Sequence, residues 1–391
     1  MMLGFLLARC GVDVTVLEKH ADFLRDFRGD TIHPSTLELM YELGLLDEFL
    51  KRPHQENRQL AGQVGDETVV MGDFTHLPTH CKFLAFMPQW DFLNFVAEQG
   101  ERYPEFHLKM QTEAADLIQS DGRIAGVRAQ TTHGPIEIRA GLTVGADGRR
   151  SIVRERAGLE VMDLGAPMDV LWMRVSRRTG DPGQSLGRVA AGKLFIMVDR
   201  GEYWQCGYVI PKGAAEEIRN RGIEKFRDEI GKLAPFLGDR VGELRDWNDV
   251  SLLTVKVDRL RKWFRPGLLC IGDSAHAMSP VGGVGINLAV QDAVAAANIL
   301  ADKLASGHVS ESDLESVQRR REFPTRATQK LQIAIQNSVI RRVLGSSGPL
   351  KLPFLLKLVR EFPVLRRVPA RVIGIGFRPE HIHTREAHPV Q

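Results

Sequence analysis

Gly272-Asp273-Ser274-Ala275-His276-Ala277-Met278-Ser279-Pro280-Val281-Gly282-Gly283-Val284-Gly285-Ile286-Asn287 is the stretch that decides the fold. It follows the apolar run Leu268 to Ile271 and precedes a helically spaced apolar run from Ile286 to about Ala305. A buried strand, a glycine-rich loop and a long helix are therefore expected in that order. An Asp at the carboxyl end of a strand can accept hydrogen bonds from sugar-like hydroxyls. Close-set glycines let backbone N–H groups and a helix N-terminus approach an electron-rich ring or a phosphate. Gly272 and Asp273 on one side, and Pro280, Gly282, Gly283, Gly285, Ile286 and Asn287 on the other, point at one ligand.

Working outward, Leu3 to Arg9 reads as a short buried helix stopped by Gly11, and Val12 to Leu17 as a strand ending at Glu18. A dinucleotide-binding fold places an acid there, where a carboxylate can take two hydrogen bonds from neighbouring ribose hydroxyls. The same fold puts its glycine fingerprint about 20 residues earlier, which falls before Met1. The first strand and glycine turn are thus expected to be absent from this reading of the chain, through an upstream start or a shortened copy. Ser35 to Leu50 is expected as a helix capped by Ser35 with Glu38 three residues on. Short β-like runs fill 66–86, and a helix is expected from Trp90 to Gln99. Ile124 to Gln130 and Pro135 to Arg139 form a hairpin pattern before Gly145-Ala146-Asp147-Gly148, which on its residues alone is a tight turn. Between Val170 and Val257 strand-like segments alternate with one polar helix near Ala214 to Lys232.

The expected class is α/β. A Rossmann-like domain occupies 1–65, 88–160 and 259–310; a mainly β substrate domain is inserted as 66–87 and 161–258; a helical region closes the chain at 311–391. The 391 residues suit about two intertwined domains and a tail. Lys and Arg total 52 against 49 Asp and Glu, too small an excess to indicate nucleic acid. Cys10, Cys81, Cys206 and Cys270 are scattered, with neither zinc-site pairing nor disulfide density, which fits a reduced cytoplasm. No basic segment precedes the apolar Met1 to Ala8, so a secretion signal is not expected. No stretch approaches the roughly 20 uninterrupted apolar residues of a membrane helix. Membrane contact is expected to be peripheral at most, at the apolar Leu350 to Val359 and the basic Arg366, Arg367, Arg371 and Arg378. A packed helix with a solvated face is the plainer reading there.

Taken together the motifs resemble the FAD-dependent aromatic hydroxylases related to para-hydroxybenzoate hydroxylase. That family carries Gly-Asp-Ala-Ala-His followed by Pro-x-Gly-Gly-x-Gly-x-Asn, and this chain departs in Ser274. The resemblance implies that Asp273 binds the ribityl hydroxyls of FAD and that Pro280 to Asn287 line its ring. A second family signature, Asp-Gly followed by Ser and Arg, appears as Asp147-Gly148 with Ser151 and Arg154; it implies a turn near the pyrophosphate. Arg28 and Gln89 fall where the family places flavin contacts, and Gly4 matches the small glycine that follows the fingerprint. The matches run in family order from the first residue to about Leu304.

The implied reaction is hydroxylation of an aromatic or similarly electron-rich small molecule with NADPH or NADH and O2. In that family the nicotinamide visits without a Rossmann domain of its own. Tyr203, Tyr208, Arg188 and His76 are candidate partners for a substrate proton, none singled out by its surroundings, and His276 is expected to shape its loop. Neither a metal-ligand cluster nor a serine nucleophile motif occurs in the sequence. A flavin-dependent reductase on the same scaffold, or a non-catalytic protein with impaired FAD binding, remain alternatives. The Trp-x-Trp-x-Ile-Pro element of flavin halogenases is missing.

Overall fold

A computed structural model describes residues 1–24, 31–65, 67–183, 185–190, 192–346, 348 and 354–387. Helix α1 (Met2–Arg9) is apolar to its last residue and buried, and a left-handed turn at Gly11 passes it to strand β1 (Val14–Leu17). Gly4 lies where helix crosses strand: a Cβ there would sit 2.5 Å from Val16 Cγ2 and 3.1 Å from the Phe106 ring. Only glycine lets the two elements close to that distance.

Helix α2 (Pro34–Glu42), strands β2 (Gln59–Val64) and β3 (Glu67–Asp73), helix α3 (Gln89–Gly100) and strand β4 (Phe106–Lys109) follow. β1 pairs in parallel with β4. A meander of β5 (Glu113–Ser120), β6 (Arg123–Thr131) and β7 (Gly134–Arg139) leads to β8 (Thr143–Gly145) and α4 (Ile152–Arg156). After β9 (Met168–Ser176), β10 (Leu186–Ala190), β11 (Lys193–Asp199) and β12 (Tyr203–Pro211) come helix α5 (Ile223–Leu233), β13 (Val250–Leu253) and β14 (Leu268–Cys270). β14 returns to pair in parallel with β8. Helices α6 (Gly285–Ala305), α7 (Glu311–Ile335), α8 (Phe354–Glu361) and α9 (Arg367–Gly374) complete the order.

The second sheet has seven strands in the order β13-β9-β12-β11-β10-β2-β3. Alternation along its strands gives it two faces. Leu171, Met173, Phe195, Trp204 and Cys206 pack against Phe226, Ile230 and Leu233 of α5. The opposite face looks into the cavity described below.

Several expectations change. β2 belongs to the seven-stranded sheet, so the β unit takes up the chain from Gln59 rather than 66. Helix α2 is capped at His33 with Pro34 in its first turn, so Ser35 is inside the helix, and Glu38 accepts instead from His80. Proline at the first helical position costs no hydrogen bond and outcompetes the serine cap. The polar helix breaks into Ala215–Asn220 and Ile223–Leu233 at Gly222, φ 86°. Lastly, the C-terminal region is not helical throughout: 376–387 runs as irregular chain back across the first domain, where Glu386 meets Arg9 and Tyr103. Val281–Ala305 is long and apolar enough to cross a membrane by composition, and it is the core helix, 72% buried.

Candidate active site

One cavity of about 2390 Å³ lies between the parallel strands and the seven-stranded sheet, well above the roughly 300–1,000 Å³ of a single small-molecule pocket. β1 and β8 both contribute to its wall without bonding to each other. Glu18, Gln89, Asp147 and Gly148 line it, as do Gly272, Asp273, Pro280, Gly282, Gly283, Gly285 and Ile286. Asn287 lies directly behind this lining, and Arg28 falls outside the described residues.

The geometry starts at the end of β14, where Gly272 takes φ 59° and Asp273 follows. Ser274 is fully buried, and its hydroxyl reaches Gly145 O at 2.6 Å and Ile271 O at 2.8 Å, fastening β14 to β8. The serine that departs from the family pattern thus supplies a strand-to-strand tie that alanine could not. Arg149 Nε donates to Asp273 Oδ2 at 3.0 Å, so the Asp147 turn and the Asp273 loop, far apart in sequence, meet directly. Sequence reasoning passed over Arg149; its position beside Asp-Gly was the available signal. The Asp147 carboxylate itself turns toward α4, accepting from Ser151 Oγ at 2.5 Å and Val153 N at 3.1 Å. It shapes the turn, while Gly148, φ 82°, presents backbone to the cavity.

Asn287 holds the far side of the loop. Its Oδ1 accepts from His33 N (2.9 Å) and Thr36 Oγ1 (2.7 Å), and its Nδ2 donates to Thr31 O (2.9 Å) and Gly283 O (3.3 Å). Gly282 and Gly283, at φ 81° and 63°, occupy backbone space that other residues rarely enter. His33 is 1% exposed; its Nδ1 lies 2.6 Å from Ile373 O, and Nε2 has no partner among the described residues. Burial lowers its pKa to about 4, partly opposed by the Ile373 carbonyl. A histidine neutral when folded but protonated when unfolded makes stability fall with pH below about 6.5, until the folded form titrates near 4. The loss amounts to roughly 3 kcal/mol. His33→Gln is expected to flatten that slope in urea denaturation measured from pH 7 to 4; an unchanged slope would show that His33 does not carry it.

The residues present fit FAD. Glu18 and Asp273 are acceptors suited to ribose or ribityl hydroxyls. The N-terminus of the 21-residue α6 opens on the cavity beside Asp273, whose Oδ1 is 4.0 Å from the Cβ position of Gly285. Its first N–H groups lack helical partners and favour an electron-rich ligand. Arg149 Nη1 is buried and unpaired among the described residues, a donor left over beside the same aspartate.

None of the suggested proton partners lines this cavity. Tyr208 faces the other side of the sheet, where its hydroxyl donates to Glu229 at 2.8 Å and burial, with Glu229, raises its pKa. Arg188 is bound to Gln63 on that side too. His76 ends a short turn, and Tyr203 lies under Arg174. His276 is 1% exposed and bonded through Nε2 to Asp292 at 2.5 Å. It braces its loop from behind.

Fold and cavity define a class, the FAD-dependent oxidoreductases. The family model described as FAD binding domain matches residues 1–331, and the chain belongs to this family of FAD-dependent aromatic monooxygenases. It is similar to 6-methylpretetramide 4-monooxygenase of Streptomyces rimosus, 30% identical over 378 residues that span 95% of this chain and 89% of that one. Rifampicin monooxygenase of Rhodococcus hoagii is 27% identical over 75% of this chain and 60% of its own length. Among solved structures, p-nitrophenol 4-monooxygenase from Pseudomonas putida superposes with a TM-score of 0.77 at 19% identity, covering 94% of this chain and 93% of that one. That likeness speaks for the fold.

Proposed function

We propose that this protein hydroxylates an aromatic or similarly electron-rich small molecule, using NADPH or NADH and O2. One observation carries the proposal: Glu18, Asp273 and the Pro280 to Ile286 loop share a cavity with an apolar sheet face. The first group suits a flavin, and the second suits an apolar substrate brought against it. When bound, FAD supplies the redox chemistry, accepting reducing equivalents from the nicotinamide and activating O2.

The chain's own residues do the rest. Glu18 and Asp273 hold cofactor hydroxyls, Arg149 fixes Asp273, and Gly148, Gly282 and Gly283 allow close backbone approach. Gln89 stands at the start of α3 on the same cavity, where its amide adds a polar contact. Trp172, Leu194 and Ile196 orient the substrate and keep water from the reacting centre. These wall positions carry no acid or base of their own.

The test is the visible spectrum of the purified protein with added FAD, followed by turnover under labelled dioxygen. One labelled atom in the product is expected. Bound flavin with an unlabelled product would favour a reductase, and a protein that stays colourless after FAD addition would overturn the reading.

A further inference from the structure

Three glycines fall in one row across the seven-stranded sheet. Gly62 on β2 pairs with Gly187 on β10, Gly187 with Ile196 on β11, Ile196 with Gly207 on β12, and Gly207 with Trp172 on β9. None of the three has positive φ, so none is required by its backbone conformation. Glycine inside a strand forgoes side-chain packing and loses more backbone freedom on folding than alanine does. Three in a row therefore call for a reason at each position.

Two of them have one. A Cβ at Gly207 would sit 3.0 to 3.3 Å from three atoms of the Trp172 ring, so the indole lies flat over that glycine. A Cβ at Gly62 would come within 3.2 Å of Met71 Cε, which fills the space above it. Gly187 is different: beyond its own chain neighbours, no atom of the described residues lies within 4 Å of where its Cβ would be. It belongs to the cavity face, with Gly62, Ile196 and Trp172, while its neighbour Arg188 points away. Bare backbone in a strand interior often marks the close approach of a ligand.

The floor also stands at a defined reach from the loop at Pro280. Val281 packs against the cluster built from Val170 and Val209, on β9 and β12. Gly187 lies two strands beyond β12, on the order of 10 Å at the usual strand spacing. A ligand touching both places must extend beyond one aromatic ring, and it must be thin enough to lie on backbone. The surrounding Trp172, Ile196 and Met71 offer ring faces and methyl groups rather than charge.

We propose that Gly187 is a specificity-determining residue, and that the floor from Trp172 to Gly62 receives the outer ring of a planar, uncharged substrate of several fused rings. The proposal rests on the hydroxylase reading for which end of the ligand faces the loop. Its test does not depend on turnover. The full chain with added FAD is titrated, without nicotinamide, with 1,8-dihydroxyanthraquinone as a three-ring probe and with phenol as a one-ring probe, following tryptophan fluorescence. In Gly187→Val the dissociation constant for the three-ring probe is expected to rise at least tenfold while that for phenol stays within twofold. Gly187→Ala is expected to give a smaller shift in the same direction, and serves if the valine variant does not fold. Thermal stability should hold or rise in both, because each fills open space at an ordinary strand conformation. Equal effects on the two probes, or none on either, overturn the proposal. A split between the probes together with unlabelled product under labelled dioxygen would leave the floor standing and reject only the hydroxylation.

Discussion

Asp292→Ala is expected to destabilise the protein by about 3–5 kcal/mol, the usual cost of breaking a buried ion pair from one side, and to weaken FAD binding with it. Asp292 is fully buried on α6. Its Oδ2 takes the Gly272 N–H at 3.0 Å and meets His276 Nε2 at 2.5 Å, and its Oδ1 accepts from Arg321 Nε at 2.9 Å. Burial alone would raise its pKa, but His276 and Arg321 outweigh burial and hold the carboxyl below its ordinary value. Arg321, 1% exposed, continues to Glu380 at 3.0 Å, so one buried chain of charge joins the loop from Gly272 to α6, α7 and the C-terminal segment. Removing the carboxylate leaves a guanidinium short of one partner and the Gly272 N–H without its acceptor. Urea denaturation with and without FAD measures both effects. A cost under 1 kcal/mol would mean that Glu380 alone neutralises Arg321. Asp292→Asn, which keeps an acceptor for Gly272, is expected to lose less flavin affinity than alanine does.

Of that network the sequence disclosed only His276, expected to shape its loop, and the rest was hidden for a physical reason. The strand, loop and helix around Gly272 to Asn287 were legible because strand burial, left-handed glycines and helix periodicity are local properties of contiguous residues. Asp292, Arg321 and Glu380 meet only after three separate elements pack, and each alone resembles a solvated charge. The glycine row has the same character: Gly62, Gly187 and Gly207 acquire meaning only from strand register. The β2 boundary was misplaced because Gln59 to Val64 mixes polar and small residues, which carry no alternation to set against a loop. Ser35 failed as a cap because Pro34 competes for the same turn. Asp147 illustrates a different limit, since its motif was visible but the direction of its carboxylate, toward Ser151 and Val153, was not.

The second large effect is expected at Asp273, and it should be the mirror image of the first. Asp273→Ala is expected to raise the FAD dissociation constant some 10- to 150-fold, the factor corresponding to hydrogen bonds with a charged partner worth about 1.5–3 kcal/mol. Stability without FAD should change by less than about 1 kcal/mol, because the Asp273 and Arg149 side chains are 30% and 29% exposed and solvent screens the pair. Asp273→Asn keeps hydrogen-bonding capacity but loses the charge that holds Arg149, so an intermediate affinity is expected. Arg149→Met separates the two roles of the aspartate. If the carboxylate acts on the cofactor directly, the methionine variant loses less affinity than Asp273→Ala does. If Asp273 serves only to hold Arg149 and its unpaired Nη1 toward the ligand, the two variants lose the same affinity and the double variant loses no more. Flavin fluorescence titrations on the four proteins decide between these cases. Unaltered FAD affinity in Asp273→Ala would remove that aspartate from the cofactor site and leave its ion pair with Arg149 as a tie between two loops.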